Sequence, residues 1–228
     1  MTGHSESSLD PETVQIEAFP KELPPKSTVL IVGSDEPAVC TIGLQALAQY
    51  GHAEDRGLVV TTTRSAATTL DTYTTVHPDS DRPSLAFVDT ASEHQYVSAP
   101  YRDTPVVFVP SPTDIERVVM ALSELTEHLP SLEGRHLLIR SLTPLLMATS
   151  TARVCTILDR ITELPTGTGR CFLGVDYTAH DETTITTLIE RVDGVLWILG
   201  PVDGQFDCEY WPANSHCRQA LTELDGNG

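Results

Sequence analysis

Lysine is almost missing from this chain. Of 228 residues only Lys21 and Lys26 are lysine; the other positive charges are arginine, and 14 basic residues face 32 acidic ones for a formal charge of −18. Affinity for a nucleic acid backbone comes from Lys and Arg that displace counterions, so the composition argues against a nucleic acid partner. Long apolar runs are missing too. Nothing approaches the ~18 residues of a membrane-spanning helix, and no apolar leader follows Met1. A cytoplasmic protein without membrane contact is expected. Cysteine is sparse: Cys40, Cys155, Cys171, Cys208 and Cys217 form no Cys-x-x-Cys pair. Free thiols in a reducing compartment are expected. Cys208, His216 and Cys217 lie close in sequence but match no familiar zinc spacing, so neither metal nor cofactor is expected.

The acids are scattered rather than blocked, and the pI is about 4.6. A dispersed acidic, lysine-poor surface suits molar salt, where the Debye length shrinks to ~3 Å and self-repulsion is screened. The expected setting is a high-salt cell.

Valine, isoleucine and leucine are plentiful and gather into short runs of the kind buried in parallel sheets. These are Thr28–Gly33, then 57–62, 84–89, 105–110, 136–141, 171–176 and 194–199. A last run, 205–211, alternates apolar with polar and reads as an edge strand. Between several of them lie amphipathic stretches. Ile115, Val118, Val119, Leu122 and Leu125 form one stripe, with Thr113 and Glu116 at capping-box spacing. Val154, Ile157, Leu158, Ile161 and Leu164 form another. Ile185, Leu188, Ile189 and Val192 form a third, with Asp181 placed to cap its start. Strands alternating with helices predict one α/β domain, a mostly parallel sheet flanked by helices on both faces. The expected divisions are a flexible polar arm over 1–26, with an ordered patch near Val14–Phe19, the domain over 27–212 and a tail over 213–228.

The segment from Val29 to Gly51 reads as strand, tight loop and helix. A phosphate-binding loop at that place has the pattern Gly, four residues, Gly, Lys, Ser or Thr. Laid from Gly33, the four residues are Ser34, Asp35, Glu36 and Pro37. The second glycine becomes Ala38, the lysine Val39 and the hydroxyl Cys40, with Thr41 next. The length matches and most of the chemistry does not: two acids replace a cation, and Pro37 removes an amide donor.

From about Val29 to Leu199 the chain resembles the KaiC-like branch of the RecA superfamily, in particular its degenerate relatives in halophilic archaea. "GLQALAQYG" is similar to that family's first helix, "GLVVTTTRSAATTL" to its second strand and turn, "HLLIRSLTPLLMATSTARVCTILDRIT" to its Walker B strand and following helix, and "GVDYTAHDETTITTLIERVDGVLWI" to its last strand, helix and strand. The resemblance implies a RecA-like fold. It puts the Walker B aspartate position on Arg140 and the catalytic glutamate position near Thr63 or Arg64. Phosphoryl transfer runs on a positioned cation, Mg²⁺ and a base or water-orienter, and these positions hold none of them. The expectation is a non-catalytic regulator or adaptor acting through protein contacts, with oligomer contacts implied by the family. Gly33 to Thr41 would be a vestigial loop, and Arg64, Asp89, Arg140 and Asp176 a remodelled pocket in which Arg140 pairs with Asp35, Glu36 or Asp89.

Other readings stay open. A receiver-like phospho-acceptor would use Asp89 and Ser111 but needs a lysine late in the sheet. An ATPase with non-standard groups could hold Mg²⁺ on Asp89, Asp176 and Asp181, each of which can equally cap a strand or helix end. Asp176, His180 and Asp181 suggest a hydrolytic site without a nucleophile. Tyr210 and Trp211 either anchor a partner at an edge strand or cover the sheet.

Overall fold

The computed structural model describes residues 19–76, 81–92, 104–128, 134–164, 167–202 and 205–213. Eight strands, β1 (Thr28–Gly33), β2 (Arg56–Thr61), β3 (Ser84–Asp89), β4 (Val106–Phe108), β5 (Arg135–Ile139), β6 (Cys171–Asp176), β7 (Gly194–Val202) and β8 (Gln205–Pro212), form one sheet. Their order is β4-β3-β2-β5-β6-β1-β7-β8. All neighbours run parallel except β8, which returns antiparallel along β7. Among the described residues six α-helices flank it: α1 (Glu36–Tyr50), α2 (Ala66–Val76), α3 (Ile115–His128), α4 (Thr143–Ala148), α5 (Thr151–Thr162) and α6 (Glu182–Ile189).

β1 is buried at every position, because strands at the centre of a doubly covered sheet have no wet face. Alternate residues divide between two cores. Val29, Ile31, Val59, Phe87 and Leu138 pack beneath α1 and α2. Leu30, Val32, Val60, Ile139 and Leu173 pack beneath α3, α4, α5 and α6. The apolar stripes read from sequence on α3, α5 and α6 are these core faces. Asp181 caps α6 by accepting the Thr184 amide at 2.7 Å. At α3 the expected Thr113 cap gives way to Asp114, whose Oδ1 accepts from the Arg117 amide at 3.4 Å, since the helix starts at Ile115.

Of the expected arm over 1–26, the described residues begin at Phe19. Phe19 and Leu23 are buried, and Phe19 meets the Tyr50 ring edge-on at 5.8 Å. The Arg170 guanidinium donates to the Leu23 carbonyl from Nε at 3.0 Å and from Nη2 at 2.6 Å, over the face of Tyr50. Residues 1–18, including most of the Val14–Phe19 patch, lie outside the described residues, as do His216, Cys217 and all of the expected tail after Ala213. At the far edge Tyr210 leans over Gly194, where an added Cβ would come within 2.2 Å of its hydroxyl, and so covers the sheet.

His136 is buried at the amino end of β5. Its Nδ1 accepts the Arg170 amide at 3.3 Å while Nε2 faces Asp55 Oδ2 at 3.4 Å. Burial, which outweighs the nearby Asp55 carboxylate, pushes its pKa down. The neutral ring satisfies both contacts, so this histidine is structural.

Gly174 in β6 is tightly packed beneath α1. A Cβ there would stand 2.2 Å from the Arg140 carbonyl oxygen and 2.8 Å from Val39 Cγ1. The first neighbour is backbone and cannot step aside. Gly174→Ala is therefore expected to destabilise the fold by about 2 kcal/mol or more, as overpacking in a filled core does, read by urea unfolding at constant KCl.

Candidate functional site at the carboxyl edge of the sheet

In open α/β sheets ligands bind outside the carboxyl ends of the strands. Here that edge gathers the ends of β1, β2, β3, β5 and β6, and with them most of the residues singled out in the sequence. The expected loop is not a loop. Only Ser34 and Asp35 separate β1 from α1, and Glu36 and Pro37 already form the helix's first turn. The Val39 amide donates to the Asp35 carbonyl at 3.0 Å, so it belongs to the helix ladder and not to an anion cradle. Asp35 occupies the N-cap position, yet its side chain makes no capping bond. Ala38, Val39 and Cys40 are buried. Val39 is wedged where a Cβ on either Gly33 or Gly174 would approach it within 3 Å (2.9 and 2.8 Å). Thr41 turns its hydroxyl back to the Pro37 carbonyl at 2.9 Å.

Glu36 organises the cleft. Its Oε1 accepts from Cys40 Sγ at 3.0 Å and from the Thr63 hydroxyl in the β2–α2 connection. Burial pushes its pKa up; those hydrogen bonds and the Arg140 and Arg64 guanidiniums outweigh it and hold the carboxyl below the ordinary range. A carboxylate in a helix's first turn also gains from the helix dipole. Burial drives the Cys40 thiol up to about 12, so it stays protonated and donates. Besides Glu36 it reaches the Arg140 carbonyl at 3.6 Å.

Arg140 follows directly on β5 and is 3% exposed. Its Nη1 donates to Thr69 Oγ1 on α2 at 2.7 Å, and Thr69 passes its own proton to the Ser65 carbonyl. Among the described residues no carboxylate lies within ion-pair distance of Arg140, and its Nε has no partner. The expected pairing with Asp35 or Asp89 is therefore absent. With Glu36 the coupling is through the field, without a direct bond. A buried guanidinium keeps its charge, so nearby Glu36 and the Thr69 hydroxyl offset part of its desolvation. Arg64 is exposed.

Asp89 does other work. It is 2% exposed, and its two oxygens accept from the amides of Ala66, Ala91 and Ser92 and the hydroxyls of Thr61 and Ser92, at 2.6 to 3.1 Å. It caps α2 and ties the β3 exit to β2. Burial raises its pKa, but the Ser92 hydroxyl and the Ala66 and Ala91 amides lower it further, and the net direction is down. A carboxylate so occupied is no free phospho-acceptor. Asp176 likewise turns inward on the following 3₁₀ turn, accepting the Thr178 amide at 2.9 Å and its hydroxyl at 2.6 Å. Asp181 is spent on α6. His180 Nε2 stands 3.3 Å from the Thr143 hydroxyl, which itself accepts the Asp176 amide at 3.1 Å. Among the described residues no group of three or more His, Cys, Asp and Glu side chains could hold a metal.

Sequence reasoning missed Thr69, Ser92 and Thr143 as partners. Threonine abounds in this chain, and nothing local marks which hydroxyl will meet a charge from another element.

The model of a family of unknown function, DUF7504, matches residues 26–197. No curated protein matches the chain. Among solved structures the chain is similar to PH0321, an uncharacterized protein of Pyrococcus horikoshii crystallised in complex with an unknown peptide. That likeness has TM-score 0.52 and 14% identity, over 84% of this chain and 85% of that one. It is also similar to the flagellar accessory protein FlaH of Methanocaldococcus jannaschii (TM-score 0.48, 12% identity, 83% and 79% covered). A type III secretion ATPase of pathogenic bacteria matches at TM-score 0.48 and 10% identity, over 76% of this chain and 51% of that one. The likeness to the first of these shows the fold: a single α/β domain of the RecA-like kind, a mostly parallel sheet flanked by helices.

Glu36 and Asp89 both release their protons more readily folded than unfolded. Their stabilisation is complete at neutral pH, above unfolded values of ~4, and is lost as pH falls through the depressed folded values. Asp89→Asn would set an amide NH₂ against backbone N–H donors. It should cost about 2 kcal/mol at pH 7 and flatten the acid limb of the stability profile, measured by urea unfolding between pH 3 and 7 in constant KCl.

Proposed function

We propose that this chain, which belongs to the DUF7504 family, is a non-catalytic member of the RecA-like fold that acts as a regulator or adaptor through protein contacts. One observation carries the reading: at the head of α1 a carboxylate, Glu36, stands where a triphosphate would need a cation. The helix begins so early that no wrapping loop is left. Phosphate-binding loops combine glycine-freed amides with a lysine on the loop, and a carboxylate at the end of the neighbouring strand serves Mg²⁺. Here the signs are exchanged, with the acid on the loop side and Arg140 on the strand side. An incoming Mg²⁺-triphosphate meets Glu36 first, and the guanidinium behind it is 3% exposed and bonded to Thr69. Val39, at the lysine position, is packed against two backbones, so Val39→Lys would bury an ammonium rather than rebuild a site. On this reading Gly33 to Thr41 and Arg140 are the remains of the nucleotide cleft. The bound partner is a protein or a second copy of the chain, in the cytoplasm of a halophilic archaeal cell.

Two measurements test it. Titrating Mg-ATP into the protein in 2 M KCl (order of magnitude set by the ~3 Å screening length near molar salt) should give no binding heat, and a coupled assay no phosphate release. Steady hydrolysis lost in Glu36→Gln or Arg140→Met would establish a working, non-standard ATPase instead. The high-salt setting is tested separately by melting temperature against KCl. With a formal charge of −18, the midpoint should climb from dilute buffer into the molar range as self-repulsion is screened; a flat or falling curve argues for an ordinary acidic protein.

A further inference from the structure

At the carboxyl edge the charged side chains bond neighbouring groups; the amino edge holds a cavity. A cavity of about 440 Å³ opens there between the start of β1, the starts of β5 and β6 and the end of α5. That is within the range of small-molecule sites, ~300–1,000 Å³. Leu137, Ile161, Leu164 and Cys171 give it an apolar wall. Burial holds the Cys171 thiol up at about 12, so the sulfur adds no charge. Thr28 sits at the inner end, 7% exposed. Its amide is taken by Asp193 Oδ2 at 2.8 Å, while its hydroxyl makes no hydrogen bond among the described residues. It points to the same face as Leu30, toward α5 and α6, and also borders the small recess that continues the cavity along Leu158 and Leu188.

Three charged residues are among the lining; the Arg170 guanidinium is turned away to the Leu23 and Tyr50 carbonyls, which leaves Lys26 and Glu163, of opposite sign. Lys26, one of only two lysines in the chain, is held by a left-handed backbone (φ 64°) and by its amide's bond to the Gly169 carbonyl at 3.1 Å. Glu163 closes α5 as its C-cap. The two are exposed, and neither is in an ion pair among the described residues. The carboxyl end of a helix carries partial negative charge, so Glu163 and α5 together favour a cation while Lys26 favours an anion.

We propose that this cavity binds a small zwitterion with an aliphatic body, an apolar amino acid or dipeptide. Its ammonium lies at Glu163 and the end of α5, and its carboxylate at Lys26. The Thr28 hydroxyl bonds its polar backbone, and its side chains rest on Leu137, Ile161 and Leu164. Polyphosphates are disfavoured by Glu163 and the helix end. This site lies at the opposite edge of the sheet from Glu36 and Arg140, so it stands or falls independently of the non-catalytic reading.

The test is an amide chemical-shift titration of the full chain in the KCl that keeps it folded. L-leucine and Leu-Leu are the probes, and N-acetyl-Leu-Leu amide is the uncharged control. Saturable shifts at residues 26–28 and 161–171 are expected from leucine, Leu-Leu or both, the tighter one giving the size of the ligand. Lys26→Gln and Glu163→Gln alter exposed side chains and should preserve the spectrum. Each should weaken binding roughly tenfold, the loss of one charge-assisted contact; Thr28→Val should weaken it less. No saturable shift from either probe, equal binding of the capped control, or unchanged affinity in both charge variants would overturn the assignment.

Discussion

The early start of α1 is the constraint on which the rest of the carboxyl edge depends. Because the helix begins two residues after β1, the amides that might have wrapped an anion enter the helix ladder, and Glu36 arrives at the mouth of the cleft. From there the neighbours follow in order. Cys40 lies one turn along the same helix and can only donate to Glu36 as a thiol. Thr63 reaches it from the turn after β2, and these two hydrogen bonds, with the fields of Arg140 and Arg64 added, outweigh burial and keep its pKa low. The charges of the cleft are thus engaged with groups of the chain itself.

Each charged group there is satisfied in a different currency. Asp89 is covered by amides and hydroxyls, the arrangement that most depresses a carboxyl pKa. Arg140 has one short bond to Thr69 and an acid close enough to act through space. Leaving one guanidinium nitrogen without a partner among the described residues costs free energy, and the strand end around it is closely packed. Gly174 shows how closely, with the Arg140 carbonyl pressed over its Cα.

The two edges of the sheet thus differ in kind. At the carboxyl edge, polar side chains bond one another across elements. At the amino edge, Arg170 stitches the entering segment to Tyr50 and Leu23 on one face, while on the other face the end of α5 stands away from β1, β5 and β6 over an open apolar wall. A sheet covered on both sides has its two ends to offer small molecules.

The sequence by itself determined the strands, the amphipathic helices and the absence of a cation at the head of α1. The runs 28–33, 84–89 and 171–176 coincide with β1, β3 and β6, because a parallel strand buried on both faces must be apolar throughout, and that is visible locally. The start of α1 was also written there, in two acids and a proline suited to a first helical turn, but matching the length of a phosphate loop concealed it. Only the tertiary structure decided Arg140's partner, Thr69, which is 71 positions away in sequence, and the turning of Asp89 and Asp176 onto their own neighbours. It alone opened the cavity between Lys26 and Glu163. A hydrogen bond between distant elements leaves no periodic trace, and one threonine among many looks like the next until the sheet order brings it to a charge.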